Sequence, residues 1–101
     1  MEHNDGVNIL SKEKIIVVLS ALVPQAKIYL YGSRALGTHR QWSDIDLALD
    51  AGTKLDAGIV EEAKEVLEAL RTPYRYDVID LNGVSDKFRA IVMRDKKIWK
   101  A

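Results

Sequence analysis

The chain has no cysteine, which excludes disulfides and thiolate metal sites, and its two histidines, His3 and His39, are too far apart for a histidine-based metal motif. Any bound metal must therefore be held by oxygen. There is no run of about 18 apolar residues, and no charged start leading into an apolar stretch with a small-residue cleavage site. Neither a membrane span nor a signal peptide is expected, and the cytoplasm is the expected location. An excess of either charge is also missing, because 15 Lys and Arg balance 15 Asp and Glu. Without a global basic field, strong nucleic-acid binding by the chain on its own is disfavoured. Internal repeats and low-complexity segments are absent as well.

What is present is an ordinary folded composition, 48% hydrophobic and 30% charged over 101 residues. That length makes one small domain, residues 1–101, with no separate substrate-binding lobe. Residues 1–10 lack periodicity and are expected to form a loose lead-in. Ser11 is placed to cap a first helix whose apolar stripe is Ile15, Ile16, Leu19, Leu22 and Val23, closed by Pro24. Lys27 to Tyr31 reads as a strand, Gly32 to Gly37 as a turn leading into a short helix, and Asp44 to Asp50 as a second strand. Thr53, with Asp56 three residues on, approximates a capping box for a helix buried through Leu55, Ile59, Ala63, Val66, Leu67 and Leu70. Thr72-Pro73 ends it, and Arg75 to Leu81 reads as a third strand. Ser85 caps a last helix in which Phe88, Ile91 and Val92 face inward. Strands and helices alternate, so the expected fold is α/β: a small mixed three-stranded sheet with helices packed mainly on one face.

The chemistry concentrates in residues 32–47. On the second strand Ile45, Leu47 and Leu49 share one face, while Asp44, Asp46, Ala48 and Asp50 share the other. Burying the apolar face forces the acids to the open side. Asp44 and Asp46 then stand roughly 6 to 7 Å apart along the strand, close enough to gather divalent cations. Strands are poor in Asp, so three in seven residues ask for a reason. Two unit negative charges about 4 Å apart repel by about 4 kcal/mol at an effective dielectric of 20, and a phosphate ligand adds to that repulsion. A Gly-Ser turn offers backbone N–H groups to phosphate oxygens, although as an isolated feature it is as often simple punctuation. It lacks the Lys and spacing of a Walker A loop. The tyrosines and Trp99 read as structural.

Gly32-Ser33-Arg34-Ala35-Leu36-Gly37 followed by Ser43-Asp44-Ile45-Asp46-Leu47 resembles the signature of the polymerase-beta-like nucleotidyltransferase superfamily. Asp77-Val78-Ile79-Asp80-Leu81 is a weaker match to its third motif, and the short chain looks like the minimal nucleotidyltransferase (MNT) group. The resemblance covers roughly residues 11–99. It implies a nucleotidyltransferase fold, with Gly32 and Ser33 on the triphosphate and Asp44, Asp46 and a third carboxylate holding two magnesium ions. Arg34 is a further candidate for a phosphate contact, although an arginine on a short exposed helix is more often simply solvated. Asp77 matches the third position better than Asp80, its rival on the opposite side of the strand. The implied activity is transfer of a nucleoside monophosphate, AMP from ATP, onto a hydroxyl. The implied partner is a small helical HEPN toxin modified on a tyrosine, the chain serving as antitoxin; self-association is compatible with this. The alternative is a non-catalytic module that neutralises or scaffolds a partner by contact alone.

Overall fold

The computed structural model describes residues 5–101, and Met1–Asn4 of the expected lead-in lie outside the described residues. The first helix, α1 (Ile9–Leu22), begins two residues before Ser11. Asn8 caps it, its Oδ1 accepting from the N–H groups of Leu10 and Ser11 at 2.9 and 3.3 Å. An amide oxygen serves this role as well as a hydroxyl, so the cap moves upstream of the serine. Ile15, Leu19 and Val23 are buried from α1 and its C-cap, with Ile16 and Leu22 packed beside them, as the apolar stripe required.

Strand β1 (Lys27–Tyr31) runs straight into the short helix α2 (Gly32–Leu36), which Gly37 closes in the left-handed conformation. Strand β2 (Ile45–Asp50) pairs antiparallel with β1, and helix α3 (Ala57–Glu68) then returns the chain to β3 (Tyr76–Asp80), which pairs parallel with β2. The N-cap position of α3 is Asp56 rather than Thr53, and its side chain makes no capping hydrogen bond. The expected box fails because Leu55 is drawn into the core and its N–H is taken by Asp80 Oδ2 at 2.8 Å. Ser85 caps α4 (Asp86–Asp95) as expected, accepting from Phe88 N–H at 3.2 Å.

The expected three-stranded sheet is in fact four-stranded, in the order β3-β2-β1-β4. The added strand, β4 (Lys97–Lys100), pairs antiparallel with β1 and covers what would be an open edge beside Ile28, Tyr29 and Leu30. One face of the sheet carries Ile28, Leu30, Ile45, Leu47, Leu49, Tyr76 and Val78, and packs against α1 and α3. On the other face Tyr29, Tyr31, Ala48 and Leu81 meet Val92 and Phe88 of α4, so the helices do not keep mainly to one side. Ile91 of α4 does not face inward; it is exposed.

Candidate active site

Alternation along β2 does what the hydrophobic pattern demanded: Ile45, Leu47 and Leu49 are fully buried, and Asp46 emerges on the other face. The register then sets its neighbours. Tyr31 of β1 and Asp77 of β3 both pair with Asp46, so Tyr31, Asp46 and Asp77 form one row across three strands. The Tyr31 hydroxyl reaches along the row and donates to Asp77 Oδ2 at 3.0 Å. Asp44 lies one residue before β2, exposed at the rim, and adds its charge from there.

Asp46 is half-buried, and that burial pushes its carboxyl up to about 6, helped by the negative charges of Asp77 and then Asp44 and opposed by Arg34. Burial likewise raises the Tyr31 phenol far above its ordinary range, with Asp77 adding to the effect. The phenol is thus a fixed donor to the carboxylate. A carboxyl that binds its proton more tightly because it is buried beside other negative charges is one that a cation would relieve. Its donors are carboxylate oxygens only, the set that suits a hard divalent ion such as magnesium. As placed, no group of three or more His, Cys, Asp or Glu side chains among the described residues converges closely enough to hold a metal ion. The fold brings Asp46 and Asp77 side by side and leaves Asp44 at the mouth.

The Gly-Ser turn stands directly against the row. Gly32 has φ +74, and a Cβ there would collide with Asp46 Oδ2, so only glycine lets the loop pass so close to the carboxylate. Tyr31, the N-cap residue of α2, makes no side-chain capping hydrogen bond, and Ser33 lines the same pocket as Tyr31 and Gly32. Thr38 N–H and the Gly37 N–H both return to Ser33 C=O, closing α2.

Arg34 corrects the sequence expectation of a phosphate contact. Its side chain is buried to 1% exposure, and its guanidinium donates to the carbonyls of Asp5 at 2.7 Å, Ser43 at 2.9 and 3.1 Å, and Gln41 at 3.3 Å. The Tyr74 ring lies 5.2 Å from it. These donors are spent on the main chain, so Arg34 ties the N-terminal segment and the 38–43 loop to α2. The other strand acids are structural too. Asp80 accepts from Leu55 and Asn82 N–H, and Asp50 accepts from Asn82 Nδ2 and Gly52 N–H, which hold its carboxyl below the usual range. Asp80 lies in register with Leu49, on the face packed by α3, so Asp77 is the acid placed beside Asp46. Tyr31 was missed as a site residue; its signal was its position one residue before Gly32, on the strand that pairs with Asp46.

The family model described as polymerase beta, nucleotidyltransferase matches residues 13–100. The chain belongs to that family. Within it the chain is a minimal nucleotidyltransferase: it is 33% identical over 90 residues to the "Probable protein adenylyltransferase MntA" of Haemophilus influenzae, covering 87% of this chain and 79% of the relative. A solved toxin-antitoxin structure with AMP-PNP superposes with a TM-score of 0.74 at 33% identity, over 87% of this chain and 71% of that one. The tri-AMPylated Shewanella oneidensis HEPN toxin in complex with MNT antitoxin gives a TM-score of 0.69 at 30% identity, over 89% and 69% of the two chains. The nucleotidyltransferase fold therefore carries the row of Tyr31, Asp46 and Asp77 at the mouth of its Gly-Ser turn. No helix among the described residues is long and apolar enough to cross a membrane.

Proposed function

We propose that this nucleotidyltransferase is a protein adenylyltransferase that moves AMP from ATP onto a tyrosine hydroxyl of a small helical HEPN toxin, and so acts as its antitoxin. The observation that carries the reading is the placement of Asp46 and Asp77 in one row against a glycine that admits nothing larger. The AMP-bearing toxin of the Shewanella oneidensis complex supports the acceptor class.

In the reaction, the acceptor oxygen forms a bond to the α-phosphorus of ATP, and the bond from that phosphorus to the α,β-bridging oxygen breaks. Pyrophosphate leaves with the electron pair. Gly32 and Ser33 hold the phosphates, and Asp77 takes the proton of the attacking hydroxyl. Tyr31, donating to Asp77 Oδ2, keeps that carboxylate aimed along the row. Asp44, Asp46 and Asp77 would hold magnesium, which when bound offsets the phosphate charge and steadies the leaving group. The chain works in the cytoplasm, where ATP and magnesium are at hand. Arg34 serves by fixing the loop that leads to Asp44.

Mass spectrometry of the co-expressed HEPN partner tests this. The partner should gain the mass of one or more AMP groups on tyrosine, and none when it is co-expressed with Asp44→Asn or Asp46→Asn. An unmodified partner that is still neutralised by those variants would show a contact antitoxin and refute the enzymatic reading.

A further inference from the structure

The row of Tyr31, Asp46 and Asp77 lies at one end of the sheet, where β1 finishes and β2 and β3 begin. A separate pocket of about 430 Å³ opens at that same end. It is lined by His39, Gln41 and Trp42 of the loop before β2, by Pro73 and Tyr74 of the turn before β3, and by Arg34. Gly32 and Ser33 take no part in its lining. Its surroundings are positively charged. The Arg34 guanidinium is buried, hydrogen-bonded to carbonyls, and makes no ion pair among the described residues, so no carboxylate compensates its charge at close range. Asp5, one of the carbonyl donors' partners, turns its carboxylate to Val7 N–H at 2.9 Å. Arg40, between His39 and Gln41, and Arg75, next to Tyr74, are exposed and make no ion pair among the described residues. His39 Nδ1 is buried with no hydrogen-bond partner. Trp42 is 66% exposed, yet its main chain is fixed, because Arg34 donates to the carbonyls of Gln41 and Ser43 on either side of it.

Tryptophan and arginine held ready on a rigid backbone are the residues that most often anchor a protein partner. With the nucleotide placed on the Gly-Ser turn, the substrate still without a seat is the protein whose tyrosine accepts AMP. We infer that a segment of that acceptor docks in this pocket, packing an apolar side chain on Trp42 and turning an acidic one toward the charge of Arg34, Arg40 and Arg75. This rests on the adenylyltransferase reading and assigns the surface that selects its protein substrate. Two residues, at most about 7 Å of chain, separate Trp42 from Asp44, so a segment seated on the indole delivers a tyrosine a few residues away to the carboxylates. Charge sets the sense of the choice: the positive rim draws an acidic segment and repels a basic one.

Steady-state transfer kinetics on the full chain, with magnesium, ATP and the unmodified HEPN partner as acceptor, test the inference. Trp42→Ala should raise KM for the acceptor at least about 10-fold, with KM for ATP and kcat at saturating acceptor within about 2-fold of wild type. Urea unfolding should show that variant folded, since the exposed indole lies outside the core. Arg40→Glu combined with Arg75→Glu should raise acceptor KM by as much, and should remove the rise in KM that added salt causes in the wild type. That double variant decides the matter if Trp42→Ala fails to fold. An acceptor KM unchanged in both variants overturns the inference while the enzymatic reading stands. A raised KM for ATP would give the pocket to the nucleotide, and a fall in kcat alone would make the loop a support for Asp44; either result overturns it. If the wild type transfers no AMP to the partner, the adenylyltransferase reading itself falls, and this inference with it.

Discussion

Asp46→Asn should stabilise the metal-free protein at neutral pH. In the folded chain the Asp46 carboxyl is raised from its ordinary 3.8 to about 6, first by burial and then by Asp77 and Asp44. Between those two values the folded state holds a proton that the unfolded state has released, so stability falls as pH rises through the window. Above about pH 6 the ionised carboxylate exacts its full cost. Converted at about 1.4 kcal/mol for each tenfold change in proton affinity, the shift is worth at most about 3 kcal/mol, and the half-buried position reduces this through solvent screening to about 1–2 kcal/mol. Asparagine keeps the shape and removes the charge. Urea unfolding in EDTA, run on both proteins from pH 3.5 to 7.5, should give a difference near zero at the acid end that grows to a plateau above pH 6.5 in favour of the variant. Magnesium should then stabilise the wild type by mass action and leave the variant little changed. A variant less stable than wild type at pH 7.5, or a gain independent of pH, would refute the view of Asp46 as a strained, cation-seeking carboxylate.

Other consequences are equally direct. Gly32→Ala forces a side chain into a left-handed φ and against Asp46, which should cost about 1–3 kcal/mol in urea unfolding and reduce transfer more than about 100-fold. Arg34→Ala should lower stability by about 3 kcal/mol, because the carbonyls of Asp5, Gln41 and Ser43 lose their donors; unchanged unfolding with lost ATP binding would instead return Arg34 to the phosphates. Trp99→Ala, removing the buried ring of β4, should cost about 3–5 kcal/mol, and a neutral result would show that the fourth strand is dispensable.

The placement of Asp46 could be read from Ile45, Leu47 and Leu49, since a period of two with one buried side leaves the intervening acid no alternative. Parity put Asp77 and Asp80 on opposite sides of β3 without choosing between them; the family resemblance favoured Asp77, and the parallel pairing of β3 with β2 sets it beside Asp46. Other features depended on partners distant in sequence. Lys97-Ile98-Trp99-Lys100 has two apolar residues between lysines and becomes a strand because β1 offers it an edge. The burial of Arg34 was invisible because its acceptors are main-chain carbonyls, which carry no residue-type signal. Asn8 displaced Ser11 as a cap because residues of equal capping power stood three apart, and periodicity fixes a helix's face better than its first residue.

The most direct measurement follows the two ends of ATP separately. With magnesium and the HEPN partner, label at the α-phosphate should pass to the partner and label at the γ-phosphate should leave as pyrophosphate, with both events lost in Asp44→Asn, Asp46→Asn and Asp77→Asn. Transfer of the γ-label, or undiminished α-labelling by the three carboxylate variants, would contradict the account.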